Sequence, residues 1–147
     1  MQAMTTIGRN DLQQLLASCP SLLLLDVLPQ NSYKEYHIRG AINAPFDHRF
    51  DSEVSALCPD KSQTIVIYGM NFECPIATQA LQRLGELGYE NLFHYEPGKV
   101  DWKAALLPVE QGPAVRNSLE MEQADKEQRF LFLLSLTQAP LFDLLQL

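Results

Sequence analysis

The chain has 147 residues, 46% hydrophobic and 20% charged, which suits one packed domain with an extension and excludes wholesale disorder. Eleven Lys and Arg against 18 Asp and Glu leave a net charge of −7, which argues against nucleic-acid and anionic-membrane partners, both of which need clustered basic residues. No apolar run nears the ~18–20 residues that cross a bilayer, and the N-terminus lacks a signal-peptide pattern, so a soluble cytoplasmic protein is expected.

Leu12, Leu15 and Leu16 stand at i, i+3 and i+4, one face of a short helix over residues 11–17. Gly8 or Asn10 can cap its start, and Cys19-Pro20 stops it. Leu22 to Leu25, then Asp26 and Val27, form a short apolar run ending at an acid, which reads as a buried parallel strand. Ala41-Ile42-Asn43-Ala44, closed by Pro45, reads as a short strand, and Ile65-Val66-Ile67-Tyr68, bounded by Gly69, as the clearest one. Over residues 75–87, Ile76, Ala77, Ala80, Leu81, Leu84 and Leu87 make a helical stripe, with Pro75 in its first turn and Gly88 beyond its end. Asn91-Leu92-Phe93-His94-Tyr95 gives a further strand.

Strands alternating with helices imply an α/β protein with a parallel sheet covered on both faces. Ligands of such sheets sit beyond the carboxyl ends of the strands. That singles out Gly69, Met70, Asn71, Phe72, Glu73 and Cys74, between the strongest strand and the strongest helix. After Gly112-Pro113 the composition changes. Residues 116–129 are highly charged, and from 130 to 147, 12 of 18 residues are Phe, Leu or Ala. Residues 1–112 therefore read as one domain and 113–147 as a helical, apolar extension, with a helix near 117–136.

The cysteines Cys19, Cys58 and Cys74 are odd in number, widely spaced and each followed by proline, so no disulfide framework is expected. His37, His48 and His94 form no metal-ligand spacing with them; neither a metal nor a cofactor is expected.

Leu23-Leu24-Leu25-Asp26-Val27, Tyr33 and the run Tyr36-His37-Ile38-Arg39-Gly40-Ala41-Ile42-Asn43-Ala44-Pro45 resemble the first half of a rhodanese domain. The Tyr68 strand with its loop, Leu87-Gly88-Tyr89, Tyr95-Glu96-Pro97-Gly98, Trp102 and Leu107-Pro108-Val109-Glu110 resemble the second half. The resemblance spans roughly residues 5–111. It implies a central five-stranded parallel sheet flanked by helices. It also implies a cysteine directly after the Tyr68 strand, carrying sulfur as a persulfide.

This sequence has Gly69 there, and glycine has no nucleophile. The loop carries Glu73 and no basic residue, which disfavours an anion such as thiosulfate. Arg39 can approach from the turn after His37, but an arginine does not replace a thiol. Asp26-Val27-Leu28 also stands where the family commonly has Asp-Val-Arg. A related fold hydrolyses phosphate esters with a C-x5-R loop; here Leu25, Thr64 and Ala80 lie six residues after the three cysteines, and phosphatase chemistry is excluded.

Cys74 keeps two readings. A thiol at a helix start is favoured as its anion, which suits a displaced sulfur carrier or redox thiol. The blander reading is a small, partly buried residue projecting from the loop's edge, without chemistry. Asp26, His37 and Arg39 are read as loop support, His37 through hydrogen bonding beside the sheet, and Trp102 as a packed aromatic. The expected function is a binding or regulatory role on a rhodanese fold without sulfurtransferase activity. The alternative is a sulfur-carrying enzyme acting through Cys74. The apolar extension favours a homodimer with tails exchanged or paired, over self-packing, a protein partner or a membrane.

Overall fold

The computed structural model describes residues 3–113, Ala3 by its backbone alone. The expected helix near 117–136, the apolar extension and any pairing through it lie outside the described residues. Strand β1 (Ala3–Ile7) leads to α1 (Arg9–Ser18), β2 (Leu23–Asp26), α2 (Gln30–Glu35), β3 (His37–Ile38) and β4 (Ile42–Asn43). Then come α3 (Phe50–Leu57), β5 (Thr64–Tyr68), α4 (Pro75–Glu86), β6 (Asn91–Tyr95), α5 (Gly98–Ala104) and β7 (Val109–Glu110). Five strands form one parallel sheet in the order β1-β6-β5-β2-β4. β3 and β7 make a separate antiparallel pair, His37 opposite Glu110 and Ile38 opposite Val109.

Side chains alternate across each strand, so one strand feeds two cores. Leu23, Leu25, Ile65 and Ile67 pack against Phe50 and Val54 of α3 and Ala77, Ala80 and Leu84 of α4. Leu24, Val66 and Tyr68 face the other way, onto Leu12 of α1 and Trp102 of α5. The apolar run of β2 is accounted for by burial on both faces: all four residues are buried.

Six elements, β1, α2, β3, α3, α5 and β7, were left unassigned by the sequence reading, and β1 and α3 show why. β1 is an edge strand paired only to β6; Met4 is exposed and Ile7 buried, so it has no apolar run to announce it. α3 places Phe50 and Val54 four residues apart in the core, a signal present in the sequence but only two residues long.

Candidate functional site

The chain leaves β2 toward β4 on one side and leaves β5 toward β6 on the other, so the loops after β2 and β5 part at the carboxyl end of the sheet. An apolar cleft of about 170 Å³ lies at this end. Val27 and Pro29 follow β2, Pro45 and Phe46 follow β4, and Ile76 is in the first turn of α4; Gln30, Asp47 and Arg49 supply the polar lining. Beside Ile76 is the 69–74 loop.

That loop is held mainly by backbone. Pro75 starts α4 with Cys74 as its N-cap, and the Cys74 thiol makes no capping hydrogen bond. Cys74 N donates to Asn71 O at 3.3 Å, and Glu73 N to Asn71 Oδ1 at 3.2 Å. From the far side, the first turn of α5 reaches in: Lys99 N donates to Gly69 O and Val100 N to Met70 O, both at 3.1 Å. Gly98 permits this approach. Its φ is +75°, and a Cβ there would lie 2.5 Å from Met70 O and 2.6 Å from Asn71 N.

Gly69 is buried. A Cβ on it would overlap the sulfur of Cys74 and sit 2.9 Å from the Cβ of Cys74 and 3.1 Å from that of Ala77. The sequence reading had the Cys74 side chain projecting from the loop's edge; instead its sulfur turns back onto Gly69 and packs against the α3–α4 core, half-buried. The cause is the missing side chain at 69, which leaves a space that the thiol fills. Phe72 and Glu73 are exposed at the tip, and Met70 is half-buried.

The three expected supporting residues separate. Asp26 is fully buried at the end of β2, where Oδ1 accepts Leu28 N at 3.0 Å and Oδ2 accepts the Tyr68 hydroxyl at 2.8 Å. The same hydroxyl accepts Ile38 N at 3.0 Å, so Asp26 braces the residue before Gly69 and, through it, β3. Burial pushes the Asp26 carboxyl up to about 6, against the pull of those two hydrogen bonds and of Lys99. His37 is buried in β3, its Nδ1 2.9 Å from Tyr33 O and its ring stacked on Tyr33 at 3.6 Å. Burial holds its imidazole below the usual range. Arg39 is exposed, and its backbone N donates to Pro108 O beside the β3–β7 pair. No hydrogen bond or ion pair among the described residues brings its guanidinium to the loop. Trp102 is packed, edge-on to Tyr95, with Nε1 donating to Pro108 O.

Sequence reasoning missed Lys99, which is fully buried with its ammonium on Ser32 and Tyr36. A lysine in a short charged helix gives no sign of burial. Among the described residues no group of three or more His, Cys, Asp or Glu side chains could hold a metal ion. No helix among them is long and apolar enough to cross a membrane.

The rhodanese-like domain family matches residues 9–105 of this sequence, about two thirds of the chain. The chain belongs to the rhodanese-like family. Over 92 residues it is 34% identical to the HTH-type transcriptional regulator Rv0324 of Mycobacterium tuberculosis, a match covering 63% of this chain and 39% of that protein's length. The solution structure of a rhodanese-like domain from Anabaena is 26% identical, with a TM-score of 0.62 over 77% of this chain and 87% of that one. The thiosulfate sulfurtransferase of Pseudomonas aeruginosa shares the fold at 20% identity, with a TM-score of 0.65 over 76% of this chain and 21% of that one. The rhodanese-like match thus includes β2, the 69–74 loop and α5, and stops short of β7.

Proposed function

We propose that this rhodanese-like domain is a binding module with a regulatory role, without sulfur transfer at position 69. One observation carries the reading: the residue directly after β5 has no side chain, and the space for one is taken by the Cys74 sulfur. Charge supports it as well. Glu73 lies in the loop, and the Lys99 ammonium is taken up by Ser32 and Tyr36. The apolar cleft beside α4 offers a binding surface whose lining has no thiol or hydroxyl. A relative named as a transcriptional regulator, of which the match covers only part, is compatible with a regulatory role. Association of two copies through residues 113–147 stays part of the proposal, on the composition of that segment alone.

A second reading is favoured by one specific fact: the Cys74 thiol lies against Gly69, at the start of a 12-residue helix, inside the loop that the family resemblance assigns to sulfur transfer. As a carrier, its thiolate would attack the outer sulfur of thiosulfate, forming a Cys74 persulfide and releasing sulfite.

Intact-protein mass spectrometry after incubation with thiosulfate separates the two. Wild type is expected to gain no sulfur. Gly69→Cys alone would crowd Cys74, so the restoring variant is Gly69→Cys with Cys74→Ala, which is expected to gain one sulfur atom. Wild type gaining a sulfur that Cys74→Ala does not gain would overturn the first reading and make Cys74 the carrier.

A further inference from the structure

We propose that Lys99 is a positioning residue for the 69–74 loop, gripping the end of α2 with its ammonium while its backbone amide holds Gly69. The side chain is fully buried. Its Nζ donates to Ser32 O and Ser32 Oγ, each at 2.8 Å, and to Tyr36 O at 3.0 Å, which uses all three N–H groups. It also lies 4.2 Å from the centre of the Tyr36 ring, which Lys103 approaches at 4.4 Å.

The acceptors explain why an ammonium stands where an apolar side chain would avoid the cost of desolvation. Ser32 is in α2 and Tyr36 directly after it; Ser32 O also accepts Tyr36 N at 3.4 Å, so the ammonium joins a carbonyl that already closes the last turn. A cation is favoured at this end of a helix. Burial lowers the Lys99 pKa, and the charges of Asp26 and Glu35 pull it back toward the protonated form.

The grip matters because of what the same residue does along the backbone. Gly98 lies against Met70 and Asn71, Lys99 N holds Gly69 O, and Val100 N holds Met70 O. Three consecutive residues of α5 therefore define one side of the loop. Of these, Lys99 alone has a side chain anchored to another element by hydrogen bonds. Fixing α5 against α2 fixes those two amides, and with them the carbonyls of Gly69 and Met70.

The test is the rate at which iodoacetamide labels each cysteine of the folded full-length chain, read by peptide mass spectrometry. Cys74, half-buried in the loop, is the reporter. Cys58 is the control for global opening: it is fully buried, with Sγ 3.3 Å from Asp60 O and 3.2 Å from Gln63 Oε1, which share its one S–H. In Lys99→Met, labelling of Cys74 is expected to rise by about fivefold or more while Cys58 stays protected, the signature of a local opening. An unchanged Cys74 rate, or a rise of Cys58 in step with Cys74, would overturn the proposal.

Should Lys99→Met fail to fold, Ser32→Ala replaces it, since it withdraws one acceptor of three. An increase of about twofold at Cys74 alone then supports the grip, and an unchanged rate refutes it. The measurement reads loop geometry, so it stands whether or not the loop takes up sulfur.

Discussion

The two faces of the sheet are made by the same strands yet differ in chemistry. On the α3–α4 face, Leu23, Leu25, Ile65, Ile67 and Leu84 form an apolar core. On the α1–α5 face, Leu24 and Val66 are followed at the strand ends by Asp26 and Tyr68, with the buried Lys99 nearby. The first face gains its stability from area and fit. The second carries buried polar groups at the end where the 69–74 loop begins, and each of the three is hydrogen-bonded. The loop belongs to both: Gly69 and Cys74 rest on the apolar face, while the carbonyls of Gly69 and Met70 are held by α5. Stability and site geometry are thus separable here, and substitutions on each face should show it.

The largest effect is expected on the apolar face. Leu84→Ala removes a fully buried side chain and should cost about 2–5 kcal/mol in urea unfolding. A loss below ~1 kcal/mol would mean that the α4 face is loosely packed.

Asp26→Asn probes the polar face through pH. Burial raises the carboxyl from 3.8 to about 6, so the folded state binds this proton more tightly than the unfolded chain does. The stability it contributes is complete below pH 3.8 and is lost as pH rises through about 6. The full shift is worth about 3 kcal/mol at most. Asp26→Asn does not titrate, so its stability relative to wild type should improve between those two pH values. Asp47, Asp51, Asp60 and Asp101, whose carboxyls are held below the usual range, lose stability as pH falls and cancel in the comparison. Parallel pH curves for the two proteins would contradict a raised Asp26.

Gly98→Ala addresses the join between the faces. A positive φ and a Cβ 2.5 Å from Met70 O together predict a loss of about 2 kcal/mol in thermal unfolding. Wild-type stability would show that the loop yields to α5 at little cost.

The sequence reading reached much of this architecture. The run from Leu22 to Val27, the β-branched strand before Tyr68 and the Pro75-to-Gly88 helix are local signals, each written in residues close together in the chain. The rhodanese resemblance implied a fifth sheet strand without placing it, and local pattern could not place it either, because β1 is a half-exposed edge. The candidate loop was legible as a position. Its interior was not, since the placement of the Cys74 sulfur depends on the space that Gly69 leaves beside Ala77 in the first turn of α4. The backbone of Arg39, read as loop support, is tied to Pro108 by a contact 69 residues away in the chain, which no local pattern announces.

By itself the sequence determined the order of the main strands and helices and the absence of a side chain after β5, and its resemblance to rhodanese domains supplied the family. The first two depend on periodicity, on turn residues and on which residue stands at 69, all of them local. Only the tertiary structure decided that Cys74 fills the space beside Gly69, that Asp26 is buried on Tyr68, and that Lys99 links α2 to the loop. Each of these joins residues distant in the chain or facing inward together, where desolvation and shape, rather than local propensity, set which atoms meet.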